Sequence, residues 1–592
     1  MIKSVMHPEY VKEIELESLP EFCDQLRDEL IKIISVTGGH IGANLGIVEL
    51  TVALYRVFDF PKDSLIWDIG HQIYIQKMIT GRLENLKEIR KNGGSPGYAN
   101  HFESEYDRVT TSHAGASLSL ALGVGIANRL NNNASHSIAV VGDGSYIEGS
   151  IQEAINHMAV EKCKTLLILN DNEIALDANF GGLHEYFKSR KINTNKEETF
   201  FSSLNIPYSG PIDGHDVLGL VSKLEEYKNN LNTPQILHIK TVKGKGLEDM
   251  ATKSPVRIHW NFPFNPKSGE NTEFPKAKSY AAFGSEAIQK IMENNPDAIF
   301  VTPATLQNTG TFNVFHNFPE RSFDVSLAEQ HSMTLAGGLA LENKKPILCF
   351  EATFLQRALD QLVHDICISE LPILIISARS GHTGLDHLTH NSLFDISYLR
   401  CIPNLKILYP ATAEDFSKSI TKEYNFLENP TIILSPYGNQ LDDPILDMCI
   451  DHEGDFKKSK DAQGIILSVG PQNKNATNVK EDLYERDVIF DHIAVTQIQP
   501  LAIELINIMN EYDYVITMEE GILAGGFGSL ILEEFQLRDN IPNFMRVGFE
   551  KKFIEHGTRD YIYKKYSIDS KSVVKNVITK WPELLKISGK IK

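Results

Sequence analysis

The feature that most constrains this chain is a series of short, continuously apolar runs: SIAVVGD, TLLILND, PQILHIK, AIFVTPA, KPILCFE, LPILIISA, LKILYPA, PTIILSP, QGIILSVG, DVIFDHI and DYVITMEE. A longer stretch of helical character generally separates one run from the next. Strands wetted on one face alternate apolar and polar residues, whereas strands covered on both faces read as unbroken Val, Ile and Leu. Such runs with helices between them predict mainly parallel sheets flanked by helices, an α/β fold. At 592 residues the chain is too long for one core. Two stretches break the pattern: FPFNPKSGENTEFPKAKS (262–279) concentrates Pro, Gly and Asn, and NQLDDPILDMCIDHEGDFKKSKDAQ (439–463) is polar and charged. Read as connections, they divide the chain into three α/β domains near 1–262, 280–438 and 462–592. The segment 183–203, LHEYFKSRKINTNKEETFFSS, is polar, poorly periodic and reads as a surface excursion.

Composition narrows the function classes. A formal net charge of −19, with no aromatic-laced Lys/Arg run, argues against binding nucleic acid or an anionic membrane. No window approaches the roughly 18 consecutive apolar residues of a membrane span. The N-terminal residues lack a signal core and an Arg-rich transit pattern. The six cysteines show no C-x-x-C spacing, which suits buried free thiols in a reducing compartment. A soluble cytoplasmic protein is the expectation.

The run ending at Val141 leads into Gly142-Asp143-Gly144 and then a helix over 147–161, a geometry that offers backbone N–H groups to phosphate. An aspartate in such a turn needs a reason. The next strand, 164–169, ends at Asn170-Asp171-Asn172, and a right-handed crossover makes the two strands parallel neighbours with Asp143 and Asn172 at one edge. Both offer oxygen, and Mg²⁺ commonly joins such ligands to phosphate oxygens. Taken alone, the triplet equally suits a loop in which Asp caps the next helix.

The GDG…NDN spacing resembles the thiamin diphosphate motif of transketolase-like enzymes. The resemblance extends along nearly the whole chain. VTGGHIGANLGIVELTVALYRVF, IWDIGHQIYIQKMITGR, GPIDGHDVLGL, FDVSLAEQH, TFLQRALDQLVHD, THNSLFDISYLRCIP and MEEGILAGGFGS look, in order, like the 1-deoxy-D-xylulose-5-phosphate synthase family. That resemblance implies three transketolase-like domains, with thiamin diphosphate and Mg²⁺ as cofactors. It implies that Gly142, Gly144 and Ser145 hold the diphosphate, with Mg²⁺ on Asp143, Asn172 and the carbonyl of Ile174. By the same likeness Glu329, in LAEQH, sits against the cofactor's pyrimidine, and Phe354, in TFLQR, stacks on it. The matching histidines His40, His71, His113, His259 and His390 would line the cofactor and donor pocket, with His40, His259 and His390 in catalytic roles. In the family the cofactor bridges the first two domains of one chain, and the implied assembly is a homodimer.

The resemblance also implies the reaction: pyruvate condenses with glyceraldehyde 3-phosphate to 1-deoxy-D-xylulose 5-phosphate and CO₂. Arg357, Arg379 and Asp386 stand at matching acceptor positions. Glu351 and Tyr437 depart from the pattern, which has Tyr at the first position and Arg at the second; both changes disfavour a phosphate dianion. Smaller departures are Glu148-Gly149, closer to ordinary transketolase, His387 in place of Gly, and a short 183–203 segment. The competing readings are a ligase joining pyruvate to another aldehyde, a transketolase, and a non-catalytic paralogue.

Overall fold

The computed structural model describes residues 6–175, 181–192, 199–254, 258–273, 277–384, 387–440, 443, 449–450, 458–537 and 541–587. Its contacts form two compact units. The first holds Met1–Phe274, Ser326–Ala328 and Leu385–Thr389; the second holds Pro275–Val325, Glu329–Gly384 and His390–Lys592.

In the first unit, β1 (Ser64–Trp67), β2 (Ser137–Gly142), β3 (Thr165–Asp171), β4 (Tyr208–Asp213) and β5 (Gln235–Lys240) form one sheet in the order β1-β2-β3-β5-β4. All four pairings are parallel. β3 is buried along its whole length, as a strand covered on both faces must be. One core face gathers Leu54, Trp67, Val140 and Ile168. The opposite face gathers Leu122, Val141, Ile155 and Leu169.

The second unit contains β6 (Ala298–Thr302), β7 (Ser322–Asp324), β8 (Lys345–Glu351), β9 (Leu374–Ser380), β10 (Lys406–Leu408), β11 (Thr431–Pro436), β12 (Cys449–Ile450), β13 (Gly464–Ser468), β14 (Phe490–Val495), β15 (Gln497–Gln499), β16 (Tyr514–Ile522) and β17 (Asn543–Phe549). They make a seven-stranded sheet, β15-β10-β11-β9-β8-β6-β7, and a five-stranded sheet, β12-β14-β13-β16-β17. β15 alone runs antiparallel to its neighbour, β10. This strand follows β14 directly yet joins the other sheet, and residues of both sheets, such as Ile375, Ile407, Leu467 and Val515, share one core. The expected α/β class with mainly parallel sheets is the observed one.

Three local expectations change. The helix after Gly144 begins as a single 3-10 turn, Ser145–Ile147, and becomes α-helical only over Gly149–Met158. β3 extends to Asp171, two residues beyond the apolar run, because Asn170 and Asp171 still pair with Ile239 and Lys240. The 183–203 segment contains most of the helix Gly182–Ser189 and the turn Ser202–Leu204, with Phe187 and Phe201 buried in the core beside Tyr146. Its two aromatic anchors outweigh its polar average. Among the described residues no helix is long and apolar enough to cross a membrane. Cys23, Cys163, Cys349 and Cys367 are buried free thiols, and Cys401 is exposed.

Candidate active site

In parallel α/β sheets the loops beyond the carboxyl ends of the strands form the binding crevice. In the first unit four such ends serve one cavity. β1 leads to Ile69, His71 and Gln72, β2 to Gly142–Ser145, β3 to Asn170, Asn172 and Ile174, and β5 to Lys243, all of which line it. Ala43, Ala175, His259 and Leu327 complete the wall.

Asp143 is 7% exposed and opens the turn, its N–H bonded to the Asn170 carbonyl at 3.1 Å and its Oδ1 accepting from the Gly144 N–H at 3.1 Å. Burial, with the nearby Asp171 charge, pushes its carboxyl up to about 7, against the pull of Lys243. Asp171 goes the other way: burial would raise it, but hydrogen bonding and charge from His238, with Lys240, hold it below the usual range. A buried carboxylate at a cavity edge, with its pKa already raised, is the arrangement a cation would stabilise in its charged form. Asn172 Oδ1 accepts from the Ile174 N–H at 3.4 Å, which folds the chain back after β3. Gly142 has an ordinary backbone conformation, so turn geometry does not demand glycine there. A Cβ at that position would meet nothing within 4 Å, so its missing side chain leaves open space in the cavity wall.

A histidine cluster adjoins the cavity. His40, His71 and His259 lie with ring centroids 5.4 Å (40–71), 5.4 Å (40–259) and 4.9 Å (71–259) apart. Asn44, fully buried, fixes two of their loops: its Nδ2 donates to the carbonyls of His40 (2.6 Å) and His71 (2.8 Å) while its Oδ1 accepts from the Tyr74 N–H at 2.8 Å. The Tyr98 hydroxyl lies 3.2 Å from His40 Nε2, and the His387 ring stands 5.5 Å beyond Tyr98. Loss of water around the His259 ring, reinforced by the charge of Lys243, holds its pKa well below the usual value and the imidazole neutral. His113 stands outside the cavity lining, on a loop that Asp68 pins by accepting from the N–H groups of Gly115 and Ser117.

In the second unit Glu329 is 4% exposed and opens the helix Glu329–Leu341. The Phe354 ring lies 6.1 Å from that of His390. Arg357 is half-buried in the turn Gln356–Ala358 that follows β8. Glu351, Arg379 and Tyr437 come together. Glu351 Oε1 is 3.4 Å from Arg379 Nη1, its Oε2 accepts from Asn308 Nδ2, and Arg379 lies over the Tyr437 ring at 5.3 Å. Asp386 lies outside the described residues.

Sequence reasoning missed Lys243, Asn44, Tyr98 and Asn308. Lys243 is 4% exposed and donates to the carbonyls of Ile174 and Ala175, on the Asn172 side of the cavity. Its only sequence signal is a lysine shortly after the apolar run of β5, followed by glycine.

The chain matches a family model described as 1-deoxy-D-xylulose-5-phosphate synthase over residues 2–198 and 189–241. It matches models of the transketolase pyrimidine binding domain over 276–440 and the transketolase C-terminal domain over 455–573. It is 34% identical to the 1-deoxy-D-xylulose-5-phosphate synthase of Clostridium acetobutylicum, covering 96% of this chain and 98% of that one. It is also 34% identical to that of Parabacteroides distasonis, covering 98% of each. Among solved structures, transketolase from Campylobacter jejuni aligns at 16% identity over 96% of this chain and 100% of that one, with a TM-score of 0.43. On the strength of identity maintained along nearly its full length, the chain belongs to the 1-deoxy-D-xylulose-5-phosphate synthase family of transketolase-like, thiamin diphosphate-dependent enzymes.

Proposed function

We propose that this chain condenses pyruvate with glyceraldehyde 3-phosphate. The C1–C2 bond of pyruvate breaks and CO₂ leaves; C2 bonds to the aldehyde carbon, whose oxygen takes up one proton, giving 1-deoxy-D-xylulose 5-phosphate. The observation that carries this reading is the convergence of four parallel strand ends on a cavity containing Asp143, Asn172 and Ile174, in a chain of this family.

The cavity fits a metal-bound diphosphate. Gly142 leaves open space where a phosphate would approach, and the Ser145 backbone N–H stands at the start of the 3-10 turn, the Gly144 N–H being held by Asp143 Oδ1. The Asp143 carboxylate, the Asn172 amide oxygen and the Ile174 carbonyl are hard oxygen donors suited to Mg²⁺. Among the described residues no three His, Cys, Asp or Glu side chains form a cage that could hold a metal unaided, and a bound diphosphate would supply further oxygen ligands. Bound thiamin diphosphate supplies the nucleophilic carbon and the electron sink that decarboxylation requires.

The protein's own residues orient the reactants and move protons. Glu329, held at a helix start, would serve the cofactor's pyrimidine, and Phe354 would stack on it, as the family resemblance implies. His40 and His259 act in proton transfer, with His259 entering as the neutral base its surroundings enforce. His71, in the cavity wall, would contact the cofactor, as would His113 and His390 by the family resemblance, with His390 acting on donor and acceptor. Arg357, Arg379, Asp386, Glu351 and Tyr437 form the acceptor end. The proposed domains are 1–262 for the diphosphate and Mg²⁺, 280–438 for the pyrimidine, and 462–592 as the C-terminal domain; the three sheets follow this division except at β15, which lies in 462–592 and joins the sheet of 280–438. The enzyme works as a cytoplasmic homodimer.

Purified protein with thiamin diphosphate and Mg²⁺ is expected to release CO₂ from pyruvate when glyceraldehyde 3-phosphate is added. No release would sink the assignment.

A further inference from the structure

β8, β9 and β11 are adjacent parallel strands, so Glu351, Arg379 and Tyr437, at or just beyond their carboxyl ends, meet at one sheet edge. The charge of Arg379 at this edge is already matched. Glu351 is 1% exposed, bonded to Asn308 and paired with Arg379, while the Tyr437 ring lies against the same guanidinium. The next cation follows the same rule. Arg559 Nε donates to Glu520 Oε2 at 2.8 Å, and its Nη2 donates to the Tyr437 carbonyl at 2.8 Å. Glu520 also accepts from the Tyr563 hydroxyl and from the His382 N–H at 2.7 Å. Each of these two guanidiniums therefore faces a buried carboxylate of the protein itself.

A phosphate binds best to an arginine fork whose N–H groups are uncommitted and whose charge is not cancelled. A dianion brought to the partly exposed Arg379 comes close to the buried Glu351 carboxylate, and the two like charges repel. A hydroxyl meets no such penalty: it can donate to Glu351 and accept from Arg379 or the Tyr437 hydroxyl.

We infer that Glu351 is a specificity-determining residue that offsets the binding advantage of an acceptor phosphate. The chain therefore discriminates only weakly between short hydroxyaldehydes with and without a phosphate. With the latter the same bonds form and break: pyruvate loses CO₂, its C2 joins the aldehyde carbon, one proton is taken up, and the product is an unphosphorylated 1-deoxyketose. This inference rests on the proposed function, which assigns this edge to the acceptor.

The test compares kcat/KM for D-glyceraldehyde 3-phosphate and D-glyceraldehyde as acceptors, at saturating pyruvate, in the wild type, Glu351→Gln and Tyr437→Arg. A site built around a charged or polar group rejects an analogue lacking it by about 10⁴-fold or more. Here the wild-type ratio should lie within about a hundredfold, and each variant should raise it about tenfold or more through the KM of the phosphorylated acceptor. The pyruvate KM should stay unchanged. A wild-type ratio above that hundredfold limit overturns the inference, as does a ratio that neither folded variant moves. If Glu351→Gln does not fold, Tyr437→Arg, whose side chain is 44% exposed, decides alone. Turnover with the phosphorylated aldehyde only would overturn this inference and leave the function standing, whereas no pyruvate consumption with either aldehyde overturns both.

Discussion

Gly142 and Asp143 are neighbours whose roles separate cleanly. A side chain at Gly142 enters open space, so Gly142→Ala should change folding stability by less than about 0.5 kcal/mol. It should nevertheless weaken thiamin diphosphate binding about tenfold or more, since the cofactor's diphosphate needs close approach to the backbone. Apo-protein melting and fluorescence titration with Mg²⁺ and cofactor read the two effects separately; equal affinity would contradict the placement. Asp143→Ala removes the carboxylate, and its titration should show no saturable binding at cofactor concentrations that saturate the wild type. Glu329→Ala should lower kcat by about a hundredfold or more while the protein stays folded, measured as pyruvate-dependent CO₂ release. The meeting of Asp143 and Asn172 at one edge was legible because strand-end position is set by the apolar runs themselves, whereas the histidines and Glu329 entered only through the family resemblance. Asn44 and Tyr98 were not legible. Their roles depend on His40, His71 and Tyr74 arriving from separate segments, and nothing local to GANLG or PGYAN announces that meeting.

At the scale of elements, every apolar run named from the sequence became a strand, since burial on both faces leaves an unbroken apolar signature. The strands that escaped notice are too short for an apolar run or lack one: β1 is buried but only four residues long, and β12 has two. β4 contains Gly and Pro, β7 and β15 are three residues each, and β17 is an edge strand exposed along much of its length. A buried polar pair on two neighbouring strands gives a pH test. His492 on β14 is 7% exposed, with Nε2 2.7 Å from Ser468 Oγ on β13, and burial, with the charge of Lys480, drives its pKa from 6.5 to about 3. The folded pKa lies below the unfolded value, so the unfolded chain binds the extra proton between about 6.5 and 3. The stability from the neutral ring is full above pH 6.5 and is lost as pH falls through that window, by about 1.4 kcal/mol per unit. Hydrogen exchange of β13 and β14 amides should show the wild type losing protection relative to His492→Gln between pH 6.5 and 5, and a constant difference would contradict the account.

For the whole molecule, family membership explains why one chain carries three mainly parallel sheets whose strand ends bear oxygen donors, histidines and guanidiniums. The division into two compact units, with the second and third sheets sharing a core through β15, could not be read from the sequence. The polar stretch 439–463 suggested a clean boundary, and QIQ is too short to reveal which sheet it joins. A homodimer is expected in solution, and light scattering giving the monomer mass of 66.4 kDa at micromolar concentration would count against it. The central claim is that this chain moves the keto carbon of pyruvate onto an aldehyde with loss of CO₂. The direct measurement is NMR of pyruvate labelled with carbon-13 at that keto carbon, incubated with the holoenzyme and glyceraldehyde 3-phosphate. The account predicts that the label becomes the ketone carbon of 1-deoxy-D-xylulose 5-phosphate; label remaining in pyruvate, with xylulose 5-phosphate serving instead as a two-carbon donor, would contradict it.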